Sequence, residues 1–292
     1  MSNWKNLIRE IMKYAKNEDC IDYDSCRLGN FLLNIDGYSS SRSKLPWMSY
    51  YDWGYKATVA SMSDIIVSGG EPKGILYSVG ALNEENLKEI AKGVGDASIY
   101  LNSVVLKGDA NKALDDPWID VASIGEVHER HVKRKGAKEK DYLLQIGYVG
   151  YGALSEKALK NFNFDEKIIE KTKRPCLEVN AWKPISLYAT SSSDNSDGWA
   201  STIYNIIDSS NVRIDLNSIE IDPELHDIVS DEDALKSGED YSFAVTVDKN
   251  DIENFLDMCT SLKIKCFVVG HVKNGYGLYY KGKLIENEGW TW

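Results

Sequence analysis

Apolar residues recur at Trp4, Leu7, Ile8, Ile11, Met12 and Ala15, the spacing of one face of an amphipathic helix. FLLNIDG (31–37) is a short apolar run that turns polar at its end and reads as a strand with Asp36 near its exit. The stretch from Tyr51 to Val67 is rich in small and apolar residues and stops at Gly69–Gly70, with Pro72 beyond, which fits a helix closed by a glycine cap. GILYSVGA (74–81) reads as a strand. Asn83 is placed to cap a helix over roughly 84–101, with Glu84 and Glu85 in the first turn, where the helix dipole favours carboxylates. SVVLKGD (103–109) and WIDVASIGEV (118–127) read as strands.

The segment ERHVKRKGAKEKD (129–141) is charged and nearly free of large apolar residues, and it predicts a boundary between an N-terminal domain, 1–135, and a C-terminal domain, 136–292. DYLLQIGYVGYGAL (141–154) then restarts the pattern as strand, glycine turn and helix. Helix over 198–209, strand over 240–247, helix over 249–262 and strand over 264–270 follow. The tract TSSSDNSDG (190–198) reads as a polar loop feeding the first of these helices. Such alternation predicts a mixed α/β (α+β) protein.

Composition narrows the function classes. The 292 residues carry a formal net charge of -11, which repels phosphate on average and argues against a nucleic-acid or anionic-membrane binder. A phosphorylated substrate would have to be met by local cations or metal ions. No stretch approaches the ~18 consecutive apolar residues of a transmembrane helix, and the first residues lack the apolar core of a signal peptide. Five cysteines without CxxC spacing predict reduced thiols in a cytoplasmic protein.

The candidate chemistry is acidic. Asp24, Asp36, Asp64, Asp109, Asp194 and Asp197 each end or interrupt an apolar segment, where a chain leaves the core. Any one of them alone is most simply a turn or capping residue. Several converging carboxylates would instead need a hard cation, and Mg²⁺ prefers oxygen ligands shared with substrate phosphates. Ser196-Asp197-Gly198 ahead of a helical pattern is either plain capping or a phosphate site at a helix N-terminus. Gly238-Glu239-Asp240 before a strand is either an ordinary loop or a charged turn facing a ligand. Arg134 lies in a basic run that is either a solvated linker or a phosphate contact. The C-terminal tryptophans either pack on the body or stack on a flat heterocycle. The four histidines show no metal or catalytic spacing, and no Walker A or kinase-type glycine loop is present.

Read in order, YKATVASMSDIIVSGGEP, LKGDAN, KRKGAKEKDYLLQIGYVG, SSSDNSDGWASTIYNI, LKSGEDYSFAVTV, VVGHV and the closing GW resemble the successive motifs of the thiamine-monophosphate kinases. These belong to the superfamily of aminoimidazole ribonucleotide synthetase. The likeness is colinear over roughly 20–292. It implies a two-domain fold, with an N-terminal sheet domain that dimerises and a C-terminal α/β domain. It also implies an active site in the cleft between them and a homodimer. The implied reaction is Mg²⁺-assisted transfer of a phosphoryl group from ATP to thiamine monophosphate, giving thiamine diphosphate.

The same resemblance implies metal ligands at Asp24, Asp36, Asp64, Asp109, Asp194 and Asp197, with Asp64 and Asp197 central to catalysis. Asp22 is an alternative to Asp24. It implies ATP contacts at Asp109, Arg134, Ser196 and Lys107, and contacts to the thiamine moiety at Glu239, Trp290 and Ser43. The chain departs from the family pattern at Lys107, where a glycine is expected, at Ile35 and Gly37 beside Asp36, and at Ser25, Asn195 and Ser43. These departures cluster at the substrate end. They leave open an ATP-dependent enzyme with another acceptor, or a non-catalytic binder of nucleotide or thiamine phosphate.

Overall fold

A computed structural model describes residues 10, 14, 20, 23–160 and 166–287. Apart from Glu10 and Tyr14, both helical, the expected helix over 4–15 lies outside these residues, as do Asp22 and Trp290. The N-terminal half contains β1 (Cys26–Leu28), β2 (Phe31–Ser39), a short helix α1 (Ser40–Ser43), α2 (Tyr50–Val67), β3 (Glu71–Ala81), α3 (Glu84–Tyr100), β4 (Val104–Lys112) and β5 (Trp118–Glu126). After β6 (Tyr142–Ile146) come α4 (Tyr151–Lys160), α5 (Glu166–Lys173), α6 (Trp182–Tyr188), β7 (Ala189–Asp194), α7 (Trp199–Ser210) and β8 (Arg213–Leu216). The remainder is α8 (Asp231–Lys236), β9 (Phe243–Val247), α9 (Ile252–Ser261), β10 (Cys266–Lys273), β11 (Gly277–Tyr280) and β12 (Lys283–Ile285).

The strands form a five-stranded sheet, ordered β1-β2-β5-β3-β4, and a seven-stranded sheet, ordered β12-β11-β8-β10-β6-β9-β7. Along β5 burial alternates residue by residue, with Ile119 and Val121 fully buried. That is the period of a strand with one face on a core. The core comes from α2 and α3, which cross closely because a Cβ on Gly93 would lie 2.1 Å from the Tyr51 carbonyl oxygen. α2 starts with a capping box in which the Ser49 side chain accepts from the Asp52 N–H, and it ends before Gly69 at φ +81°. Asn83 caps α3 as expected.

The hydrophobic cluster around α2 and α3 runs on into Leu144, Ile146, Phe243 and Val245 of the second sheet. The two halves therefore share a core, and residues at their seam are held from both sides. Among the described residues no helix is long and apolar enough to cross a membrane.

Two expectations fail. Residues 190–194 form the edge strand β7 rather than a loop. Their polarity is satisfied internally: the Ser191 and Thr190 hydroxyls pair with Thr246 Oγ1 at 2.6 and 2.7 Å, and Ser192 donates to the Val67 carbonyl at 2.6 Å. Hydroxyl-lined strands escape a reading based on apolar alternation. The cysteines are not all reduced either, because Cys20 and Cys26 are joined by a disulfide with a Cα separation of 5.5 Å. Cys176, Cys259 and Cys266 are free thiols.

Candidate active site

Four aspartates converge where the two halves meet. Asp24 precedes β1, Asp36 lies on β2, Asp64 on the last turns of α2, and Asp194 ends β7. Carboxylate oxygens of Asp24, Asp64 and Asp194 lie within 4.8 Å of one another. Asp36 joins them through Asn34, whose amide donates to Asp36 Oδ2 at 2.9 Å and to Asp64 Oδ2 at 2.5 Å. On the other side, Ser63 and Ser196 donate to Asp194 Oδ2 at 2.7 and 2.8 Å. Arg134 donates to Asp24 Oδ1 through Nε at 2.8 Å, and again through Nη2.

Burial and mutual repulsion govern this cluster. Burial pushes the Asp36 carboxyl up to about 6, with the Asp194 charge adding to the effect. Asp24 is likewise pushed up to about 6 by burial, against the opposing pull of Arg134. Asp64 is raised well above the ordinary carboxylate range by burial and then by Asp194, Asp36 and Asp24. Anions crowded in a low-dielectric seam are poised to take a cation, which replaces repulsion with attraction. The donors are all oxygen, the set that hard ions such as Mg²⁺ select over softer metals.

Beside the cluster a cleft of about 220 Å³ opens, lined in part by Asp36, Tyr38, Asp64, Ser196, Asp197 and Glu239. One wall is the turn that leads into α7, through Ser196 and Asp197. The N-cap of α7 is Gly198, at φ +117°, and no side chain caps the helix. The first N–H groups of a helix have no intrahelical partners, and together with the dipole they suit an anion. Asn195 explains one departure from the family pattern. Its buried amide donates to the Ser237 carbonyl at 2.9 Å and accepts from the Gly198 N–H at 3.2 Å, so it braces the turn.

The turn 238–241 packs directly on this one. Glu239 N–H donates to the Ser196 carbonyl at 2.9 Å, and Tyr241 N–H to the Asn195 carbonyl at 3.1 Å. A Cβ on Gly238 would lie 2.7 Å from the Ser196 oxygen, so only glycine fits there. Glu239 and Asp240 divide the work. Glu239 lines the cleft, while buried Asp240 accepts from the Gly150 and Gly152 N–H groups at 3.0 Å each and fixes the start of α4.

The remaining candidates are engaged by other groups or lie away from the cluster. Ser43 lines the cleft, but its hydroxyl donates to the Ser39 carbonyl at 2.9 Å and accepts from Trp53 Nε1 at 2.8 Å. Lys107 and Asp109 lie on β4, the edge strand, all of whose residues are exposed. Asp109 accepts from Asn111 at 3.0 Å, away from the cluster. Arg134 is neither solvated linker nor free cation, being engaged by Asp24. Sequence patterning misses Asn34, Ser63, Tyr38 and Tyr241. Asn34 and Tyr38 stand two residues either side of Asp36 on one face of β2, so the strand period is the signal that points to them.

Two family models match the chain: the N-terminal domain of AIR synthase related protein over 22–127, and its C-terminal domain over 166–282. The thiamine-monophosphate kinase of Pyrococcus horikoshii is 31% identical over 249 residues, covering 82% of this chain and 78% of that protein. That of Pyrococcus abyssi is 30% identical, covering 82% and 77%. Among solved structures, AaThiL complexed with AMPPCP and TMP superposes with a TM-score of 0.83 at 25% identity, covering 97% of this chain and 95% of that one.

Proposed function

The chain belongs to the AIR synthase related proteins and, within them, to the thiamine-monophosphate kinases, and from that premise we propose that its cleft transfers the γ-phosphoryl group of ATP to the phosphate of thiamine monophosphate. The observation that carries this reading is the meeting of Asp24, Asp36, Asp64 and Asp194 at the mouth of an uncapped helix start, beside a cleft walled by Glu239. In the reaction an oxygen of the acceptor phosphate bonds to the γ-phosphorus, the bond from that phosphorus to the β-phosphate oxygen breaks, and ADP leaves.

Two anions must approach each other, so the residues work by alignment and charge. Asp24, Asp64 and Asp194 would hold Mg²⁺, with Asp36 and Asp197 on the cleft side. When bound, the ion screens the phosphates and stabilises charge in the transition state. Ser196 orients Asp194 and, with the first N–H groups of α7, cradles phosphate oxygens. Arg134 holds Asp24 in place and adds positive charge on the ATP side. Glu239 faces the thiamine moiety, which carries a cationic ring. We read the boundary between the two domains at 135/136; the stretch between β5 and β6, which carries no helix or strand, supports that reading.

We also propose a homodimer through the first sheet. Its edge strand β4 exposes Val104, Val105 and Leu106 at 58%, 38% and 57%. An apolar edge of this kind favours pairing with another chain. Pairing there carries Lys107 and Asp109 to the interface rather than to this chain's own cleft. The experiment for the reaction is product formation by purified protein with ATP, Mg²⁺ and thiamine monophosphate. ADP and thiamine diphosphate in equal amounts are expected. ATP binding without either product would overturn the reading.

A further inference from the structure

We propose that Lys56 is a positioning residue for the phosphoryl acceptor: it fixes the Glu239 carboxylate on the cleft wall and ties that wall to the helix bearing Asp64. This role rests on the acceptor reading above. Lys56 lies on α2 about two turns before Asp64, and its ammonium is 2.6 Å from Glu239 Oε2. Its side chain is 6% exposed, whereas that of Glu239 is 40% exposed. The lysine is thus part of the core and the glutamate is its outlet to the cleft. An ammonium so buried requires a charged partner, and the partner here comes from the other half of the molecule.

Glu239 is held at both ends. Its backbone sits at φ +56°, and its N–H is bound to the Ser196 carbonyl. A non-glycine residue stays in that region only where its surroundings impose it. With the backbone set by the 196–198 turn and Oε2 set by Lys56, the carboxylate has little freedom left. Lys56 also offsets the charge that Glu239 brings to a cleft it shares with Asp36 and Asp64. A Glu239 released by loss of Lys56 would be repelled by those carboxylates and lose its set position. One ion pair therefore holds the acceptor carboxylate beside the metal carboxylates and couples both through a single helix.

The test is steady-state kinetics on wild type, Lys56→Met, Lys56→Arg, Glu239→Gln and the Lys56→Met/Glu239→Gln double variant, varying ATP and thiamine monophosphate separately. Lys56→Met is expected to raise KM for thiamine monophosphate roughly tenfold or more while KM for ATP stays within about threefold, and Lys56→Arg to recover most of the loss. In the Glu239→Gln background, Lys56→Met is expected to add little, because the two side chains act as one unit. If Lys56→Met does not fold, Lys56→Gln is read in the same way. Wild-type KM in the lysine variant, or effects that multiply independently in the double variant, would overturn the role of Lys56 alone. A wild type that binds but does not turn over thiamine monophosphate would overturn the acceptor reading and this inference with it.

Discussion

Asp36→Asn separates what the acidic cluster does for catalysis from what it costs the fold. The substitution keeps the shape, and the Asn34 amide retains an oxygen to donate to at the site where it now reaches Asp36 Oδ2 at 2.9 Å. Only the charge is lost. Burial and Asp194 push the Asp36 carboxyl from 3.8 to about 6 in the folded chain. A carboxyl raised on folding contributes stability that is complete below its unfolded value and is lost as pH rises through its folded value. The metal-free wild type therefore weakens between about pH 4 and pH 6. At 1.36 kcal/mol per pKa unit the full penalty above that window is roughly 3 kcal/mol, and partial exposure of Asp36 lowers it to roughly 1–3 kcal/mol.

In EDTA at pH 8, denaturant unfolding is thus expected to show Asp36→Asn more stable than wild type by that amount. Near pH 3.5 the two are expected to coincide. Mg²⁺ is expected to reverse the order. An ion that binds only the folded state at a hundred times its Kd stabilises by about 3 kcal/mol, and the variant binds it more weakly. Turnover with Mg²⁺ is expected to fall at least about 100-fold, the scale of losing one group that stabilises transition-state charge. A variant that is less stable than wild type at pH 8 in EDTA would refute the electrostatic reading of the cluster. A variant that turns over like wild type would refute its place in the site.

Asp197→Asn and Asp64→Asn are each expected to abolish turnover while circular dichroism stays unchanged, since both line the cleft; normal rates in both would remove the cleft from the reaction. Gly238→Ala places a methyl 2.7 Å from the Ser196 oxygen and is expected to cost about 1–3 kcal/mol and to displace Glu239. A wild-type melting curve and KM would contradict that packing. Val105→Glu, on the exposed edge strand, is expected to convert a dimer to a monomer by light scattering. A monomeric wild type, or a variant that still dimerises, would place the interface elsewhere.

Elements with regular hydrophobic spacing are legible in the amino-acid pattern alone. The patterns over 51–67, 84–101 and 118–127 match α2, α3 and β5 to within a residue at each end, and Asn83 and Gly69 stand where helix caps belong. β7 is not legible in that way. Its serines and threonine are strand residues only because Thr246 and the Val67 carbonyl complete their hydrogen bonds from distant parts of the chain. The bridge between Cys20 and Cys26, six residues apart, is likewise not revealed by spacing alone.

The site divides along a similar line. Each aspartate of the cluster announces itself locally, as a carboxylate at the point where an apolar segment ends. Their convergence does not, because it is a property of the seam between two sheets that share a core. Sequence patterns also do not distinguish neighbours of like chemistry. Glu239 and Asp240 are adjacent and equally acidic, yet one faces the cleft and the other caps a helix. What separates them is the left-handed backbone of Glu239, forced by the contact of Gly238 with the 196–198 turn. That contact turns one carboxylate toward the cleft and leaves the next to hold the wall behind it. The lining of the cleft is thus set by a backbone packing event as much as by the side chains themselves.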